Sequence, residues 1–103
     1  MISVAMATYN GEKYIEEQVD SILNQSKPVD EIIIFDDNST DGTLEIIRRY
    51  ADSRIKVHVN DKNVGYIENF YRAITHCKGD YIFLADQDDI WGNDKVKVYL
   101  EVM

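Results

Sequence analysis

The chain has 103 residues, and this length allows one small domain. Its 19 acidic residues against 11 lysines and arginines give a formal net charge of −8, which disfavours a nucleic acid or an anionic membrane surface as a partner. The single cysteine, Cys77, excludes an internal disulfide. No apolar run approaches the roughly 20 residues of a membrane span, and no basic start indicates a signal peptide, so a reducing cytoplasm is the expected compartment.

Four short apolar segments alternate along the chain with four amphipathic ones. The apolar segments, which we predict to be strands, are residues 2–7, 31–35, 55–59 and 81–85. The second and the fourth are apolar on both faces, which is typical of strands covered on both sides in a parallel sheet. The third alternates and places Ile55, Val57 and Val59 on one side.

Each amphipathic segment predicts a helix, because its apolar residues recur at helical spacing. The four apolar stripes are Tyr14, Ile15, Val19, Ile22 and Leu23; Leu44, Ile47, Tyr50 and Ala51; Ile67, Phe70, Tyr71, Ile74 and Cys77; and Val96, Tyr99, Leu100 and Met103. Asn38, Ser39 and Thr40 are candidate caps of the second helix, with Asp41 in its first turn, and Gly79 follows the third. The pattern predicts an α/β fold with an open, mainly parallel sheet of about four strands and helices on both faces.

The lone histidines and the cysteine are interpreted as structural. His58 and His76 have no partners at metal-ligand spacing. Cys77 ends a helical stripe, which favours a buried helix residue over a nucleophile.

Polar residues follow three of the four predicted strands. They occupy positions 8–12, 36–39 and 86–89. Because the carboxyl ends of parallel strands meet at one edge, where open α/β sheets bind ligands, these segments are expected to lie together.

The segment after the fourth strand is the most acidic of the three. Asp86, Asp88 and Asp89 repel one another unless protons or a cation offset their charge. In an extended segment Asp86 and Asp88 point the same way. All-oxygen ligands suit a hard divalent cation such as Mg²⁺ or Mn²⁺.

Several common sites are excluded, and each motif also has a purely structural interpretation. The chain has no Gly-x-Gly-x-x-Gly after its first strand and no P-loop. A calcium loop beginning at Asp37 fails because Arg48 stands where a glutamate is needed. Taken alone, Asp36 and Asp37 are turn or helix-cap residues, and the acids at 86–89 a solvated loop. Their ordered combination, each after a strand, favours a shared site.

Together these motifs resemble family 2 glycosyltransferases of the GT-A fold, over essentially the whole chain. The segments that carry the resemblance are Thr8-Tyr9-Asn10-x-Glu12, Ser21-Ile22-Leu23-Asn24-Gln25, residues 31–43, Asn63-x-Gly65 and residues 79–91, which include Asp86-Gln87-Asp88-Asp89-x-Trp91.

The resemblance implies binding of a nucleotide-diphosphate sugar, usually UDP- or dTDP-linked, and inversion at the anomeric carbon. It implies that Thr8, Tyr9 and Glu12 line the pocket for base and ribose and that Asp37 accepts a hydrogen bond from the base. Asp88 would be the main ligand of Mn²⁺ or Mg²⁺, with Asp86 near the ribose or the metal. The implied nucleotide-sugar site is Thr8, Tyr9, Asn10, Glu12, Asp37, Asn63, Gly65, Asp86 and Gln87, and the implied metal ligands are Asp86 and Asp88.

The family's catalytic base and acceptor site come from segments downstream of its acidic motif. The resemblance therefore implies that residues 1–103 are the N-terminal, Rossmann-like donor-binding part of an incomplete glycosyltransferase domain, inactive alone, with the base beyond residue 103. A glycan or lipid-linked acceptor would place the full enzyme at the inner membrane face. Surfaces left exposed could drive self-association. A non-catalytic nucleotide-binding or interaction module of the same fold is the alternative.

Overall fold

The computed structural model describes residues 1–86 and 90–102 of the chain. Within them, strands and helices alternate as the sequence predicts. In chain order they are β1 (Ile2–Thr8), α1 (Ile15–Leu23), β2 (Glu31–Asp36), α2 (Thr43–Arg48), β3 (Ile55–Val59), α3 (Tyr66–Thr75), β4 (Tyr81–Ala85) and α4 (Lys95–Val102). None of the helices in these two ranges is long and apolar enough to cross a membrane.

The four strands form one parallel sheet in the order β3-β2-β1-β4. The chain builds the sheet outward from β1 to β3 and then crosses to the other side of β1 to form β4. Parallel pairing sets Thr8 opposite Asp36 and Met6 opposite Ala85, so the carboxyl ends of the central strands lie at one edge. The strand order reverses beside β1, which is where open α/β sheets place a ligand crevice. The predicted fold class is confirmed.

Helices cover the sheet on both faces, as expected from the apolar strands. Alternate residues of the central strands, such as Val4 and Ile34, pack against α1, α2 and α4 in the larger core. The other face, which includes Ala5, Ala7 and Ile33, packs against α3. The two alanines of β1 have short side chains, which allow α3 to approach the sheet closely.

The prediction that β4 is buried on both faces is wrong. Phe83 is buried, but Ile82 and Leu84 on the α3 face are 40% and 52% exposed. β4 is the edge strand of the described sheet, and α3 lies over β1 and β2 rather than over β4. Apolar composition does not reveal which strand a helix covers.

The buried stripe of α3 also differs from the predicted one. Ile67 and Tyr71 are 84% and 62% exposed, whereas Asn69, Phe70 and Ala73 are buried. The Asn69 amide donates to the Phe35 carbonyl oxygen at 2.8 Å, which turns a polar residue toward the sheet. A search for apolar periodicity cannot detect this, because the helix is oriented in part by a polar contact.

The start of α2 is held by Asp41, which lies just before the helix rather than in its first turn, and not by the candidate caps Ser39 or Thr40. The Asp41 carboxylate accepts the Thr43 N–H at 3.0 Å, whereas Ser39 turns back and binds Asp36. The helix ends at Arg48, before Tyr50, whose hydroxyl binds the Asp20 carboxylate of α1 at 2.7 Å. A tyrosine beyond the helix therefore joins α1 to α2.

The histidines and the cysteine make packing contacts on the α3 face. His58 stacks on Phe35 with ring centroids 4.6 Å apart, and His76 lies 4.8 Å from the same ring. Cys77 is half-buried just beyond α3 rather than within the helix. Burial, and then the charge of Glu31, raises the pKa of its thiol to about 11, so it is a neutral packing group at neutral pH.

A buried carboxylate joins three segments at the amino end of the sheet. Glu31 accepts hydrogen bonds from Ser3 Oγ and from the Lys78 N–H, both at 2.6 Å, and Lys56 Nζ lies 3.6 Å away. Gly79 also binds Ser3, and a Cβ on Gly79 would lie only 2.6 Å from Ser3 Oγ, so this close approach requires glycine. Burial raises the pKa of Glu31, but the hydrogen bonds and the Lys56 charge outweigh it and hold the pKa below its ordinary value.

We expect Glu31→Gln to lower the free energy of unfolding at pH 7 by about 1–3 kcal/mol, the cost of weakening buried hydrogen bonds to a charge. Stability from the ionised carboxylate is present above the ordinary pKa of 4.5 and is lost as the pH falls through the lower folded-state value. The difference in the free energy of unfolding between wild type and Glu31→Gln, measured by urea unfolding, should therefore narrow as the pH falls below 4.5. Glu101→Gln, an exposed change of the same chemistry, is the control. A difference in unfolding free energy that does not depend on pH would contradict the assignment of this stability to the ionised Glu31 carboxylate.

Candidate functional site

A cavity of about 320 Å³ opens at the carboxyl ends of β1 and β2, beside the start of α3. Its lining residues are Ala7, Thr8, Tyr9, Asp37, Asn63, Gly65, Tyr66 and Asn69. The structure thus brings together five residues that the sequence predicts for a ligand site: Thr8, Tyr9, Asp37, Asn63 and Gly65. It adds Tyr66 and Asn69, which the sequence motifs do not indicate.

The two consecutive aspartates that follow the apolar run of β2 have different roles. Asp36 is fully buried, and its carboxylate accepts Thr8 Oγ1 at 2.6 Å and the Ser39 N–H at 2.8 Å. It thereby joins the end of β1 to the turn after β2, which agrees with the turn interpretation of this residue. Asp37 lines the cavity instead.

Asp37 holds the segment that forms one wall of the cavity. Its Oδ1 accepts the Val64 N–H at 2.8 Å and the Asn60 amide at 3.0 Å, and its Oδ2 accepts the Gly65 N–H at 3.1 Å. Burial raises the pKa of Asp37, but these hydrogen bonds outweigh it and keep the pKa below its ordinary value. The carboxylate is therefore ionised at neutral pH, and Oδ2 can accept a further donor from a ligand.

Buried amides fix the floor of the cavity. The Asn60 amide donates to Asn69 Oδ1 at 2.8 Å, and Arg72 donates to Asn60 Oδ1 at 3.1 Å. Sequence reasoning missed Asn60 and Asn69. The available signal is an asparagine on the buried face of α3 and another directly after β3. Buried amides must find hydrogen-bond partners, so two such residues are expected to pair.

Gly65 has a backbone conformation that favours glycine. Its φ is +92°, in the left-handed region, and a Cβ there would meet nothing within 4 Å. Conformation rather than space therefore explains the glycine in the Asn63-x-Gly65 motif. The Asn63 side chain holds the same turn by donating to the Asp37 carbonyl oxygen at 2.6 Å.

The structure does not bring Asn10 and Glu12 into the lining of the cavity. Asn10, with a φ of +49°, accepts the Thr40 N–H at 2.8 Å through its side chain. The Glu12 carboxylate accepts the Gly42 N–H at 2.9 Å. Both residues tie the loop after β1 to the loop after β2. Their contact with a nucleotide stays a prediction.

Asp86 lies at the carboxyl end of β4 and is joined to the cavity by a tyrosine. The hydroxyl of Tyr66, which lines the cavity, donates to the Asp86 carboxylate. Burial, and then the hydrogen bond and charge of Asp86, raises the pKa of Tyr66 to about 12, so the phenol stays protonated as the donor. Asp86 also borders a second cavity of about 530 Å³ beside β4 and α4.

The predicted metal ligands are only partly described. Asp88 and Gln87 lie outside the described residues. In residues 1–86 and 90–102, no group of three or more acidic, histidine or cysteine side chains forms a metal-binding cluster. The exposed Asp86 carboxylate fits one oxygen ligand of a hard cation.

Comparison with known proteins gives consistent results. The family model described as Glycosyl transferase family 2 matches residues 3–103. The dTDP-rhamnosyl transferase RfbG of Shigella flexneri is 47% identical over 100 residues, covering 89% of this chain and 34% of the relative.

Two solved structures superimpose on almost all of the chain. S. aureus TarS in complex with UDP has a TM-score of 0.88 at 31% identity, covering 97% of this chain and 31% of that one. The mannosyltransferase PcManGT from Pyrobaculum calidifontis, in complex with GDP-Man and Mn²⁺, has a TM-score of 0.83 at 29% identity, covering 92% and 30%. The chain spans between 33% and 42% of the length of three curated relatives.

We expect Asp37→Asn to loosen the wall of the cavity. An asparagine offers fewer acceptor sites and no charge, so the Val64 and Gly65 amides lose charge-assisted hydrogen bonds. Their hydrogen exchange should accelerate by about tenfold or more. Asp61→Asn, the same change at an exposed neighbouring position, should leave both rates unchanged. Equal rates in wild type and Asp37→Asn would show that the carboxylate does not hold this segment.

Proposed function

Because the chain belongs to glycosyl transferase family 2, we propose that it binds the nucleotide-diphosphate sugar from which a glycosyltransferase takes its sugar. Residues 1–103 form the N-terminal donor-binding part of an inverting transferase domain. The observation that carries the proposal is the cavity at the carboxyl edge, which gathers five of the residues that the motifs predict.

The nucleoside is assigned to the cavity between β1 and α3. Tyr9 is 42% exposed beside it and offers a ring for contact with base or ribose, and Thr8 ends β1 at its floor. The free acceptor capacity of Asp37 Oδ2 suits the ring N–H of uracil or thymine. UDP- and dTDP-linked donors are therefore the first candidates.

The diphosphate is assigned to the side of the cavity near Asp86. Asp86 and Asp88 would hold Mn²⁺ or Mg²⁺ there through carboxylate oxygens. When bound, the cation supplies stabilisation of the negative charge on the leaving diphosphate. Tyr66 keeps the Asp86 carboxylate oriented toward this region through its hydroxyl hydrogen bond. Among the solved structures, PcManGT contains both GDP-Man and Mn²⁺, which supports the assignment.

The remaining parts of the reaction are assigned outside this chain. The catalytic base is expected beyond residue 103, together with the groups that bind a glycan or lipid-linked acceptor at the inner membrane face. The exposed Ile82 and Leu84 of β4 support self-association of the isolated chain, because a bare apolar edge strand favours pairing. The isolated chain should therefore bind a nucleotide without transferring a sugar. A non-catalytic module of the same fold would behave in the same way.

The binding proposal is tested by calorimetric titration of the chain with UDP, with and without Mn²⁺. We expect binding that the metal strengthens and that Asp88→Ala weakens by about tenfold or more, which corresponds to roughly 1.4 kcal/mol. Glu101→Gln removes one negative charge from an exposed site on α4 and should leave the affinity unchanged. A folded chain that binds none of UDP, dTDP and GDP, under any metal condition, would refute the proposal.

A further inference from the structure

Three polar side chains bind the backbone of the segment that follows β4: Gln18 and Ser21 of α1, and Gln25 just beyond the end of that helix. Gln18 and Ser21 are spaced at i and i+3, which places them on the same side of α1, and the Gln25 amide donates back to the Ser21 carbonyl oxygen at 3.0 Å. Gln18 and Gln25 are 1% and 5% exposed. Ser21 and Gln25 belong to the motif Ser21-Ile22-Leu23-Asn24-Gln25, to which the proposed function gives no role.

Their hydrogen bonds lie on both flanks of residues 87–89, which include Asp88 and Asp89. On the near flank, the Gln18 amide donates to the Asp86 carbonyl oxygen. On the far flank, Ser21 Oγ accepts the Trp91 N–H at 3.0 Å. The Gln25 amide donates to the Gly92 carbonyl oxygen at 2.6 Å and accepts the Val96 N–H at 3.0 Å.

The far flank is also held by its own apolar anchor. Trp91 is 4% exposed, and its ring lies 6.0 Å from that of Phe83, centroid to centroid. The backbone on each side of residues 87–89 is therefore attached to the rest of the fold, by Gln18 on one side and by Ser21, Gln25 and the buried Trp91 on the other. Fixing both ends of a short segment lowers the entropy lost when its side chains bind a ligand.

We propose that Gln18, Ser21 and Gln25 are positioning residues that hold the two flanks of the Asp88 segment for binding of a divalent cation. This inference rests on the proposed function for the identity of the site. The three side chains are neutral, so they hold the flanks without offering a cation that would compete with the metal for carboxylates. They act through the backbone and touch no substrate.

The test uses two variants. Gln25→Met keeps the length and apolar packing of the side chain but removes its amide. Ser21→Ala is a smaller change and is expected to destabilise the fold less. Two titrations are made on each: UDP in excess EDTA, and Tb³⁺ alone, a luminescent oxygen-binding cation that Trp91 can sensitise. We expect Tb³⁺ affinity to fall by about tenfold while the metal-free UDP affinity stays within about twofold of wild type. Ser21→Thr, which restores a hydroxyl, should recover most of the Tb³⁺ affinity. Asn24→Ala, on the exposed side of the same motif, is the matched control.

The outcomes separate this inference from the proposed function. Unchanged Tb³⁺ affinity in a folded variant would overturn the positioning role. A parallel loss of Tb³⁺ and metal-free UDP affinity would also overturn it, because that result indicates a general effect on the fold. If Gln25→Met does not fold, Ser21→Ala and its threonine counterpart decide the question. If wild type binds Tb³⁺ but not UDP, a loss of Tb³⁺ affinity in the folded variants supports the positioning role, and the missing UDP binding refutes the proposed nucleotide site.

Discussion

Hydrogen bonds to two consecutive carboxylates at the end of β2 determine where the cavity lies. Asp36 is fully buried and binds Thr8 and the Ser39 turn, so it fixes the end of β1 against the end of β2. Asp37 binds the Val64 and Gly65 amides and so fixes the segment before α3. Successive side chains on an extended backbone point to opposite sides, so adjacent acids can serve two different loops. If either set of contacts were lost, the walls of the cavity would no longer share a common support.

The same carboxylates determine the electrostatics of the edge. Burying a charge is costly unless hydrogen bonds satisfy it, and the donors around Asp37 are numerous enough to keep its pKa below the ordinary value. The wall of the cavity that Asp37 holds is thus negative at neutral pH and favours N–H donors. It disfavours phosphate groups for the same reason. An anionic diphosphate therefore fits best at the side near Asp86, where a divalent cation would offset both the ligand charge and the acids of the segment.

The sequence predicts the sheet and much of the site because both depend on local patterns. Apolar strands without alternation indicate a parallel sheet, and polar residues after each strand then identify its ligand-binding edge. The errors concern contacts that local patterns do not encode. Apolar periodicity placed Ile67 in the buried stripe of α3, but the helix turns Asn69 inward because its amide satisfies the Phe35 carbonyl oxygen. Glu12, which the resemblance implies for the base and ribose pocket, binds the Gly42 amide within the scaffold, and its contact with a nucleotide stays a prediction.

The two segments that border the proposed site are held by different chemistry, and the difference fits what each has to bind. The segment at residues 60–65 is held by the Asp37 carboxylate, whose charge strengthens its bonds to backbone amides and leaves an acceptor for a nucleobase. The flanks of residues 87–89 are held by the neutral side chains of Gln18, Ser21 and Gln25. A carboxylate in that position would add repulsion to an acidic segment, and a lysine or arginine would neutralise the acids that a metal needs. Amide and hydroxyl groups hold the flanking backbone without adding a charge that would compete with a cation for the Asp86 carboxylate.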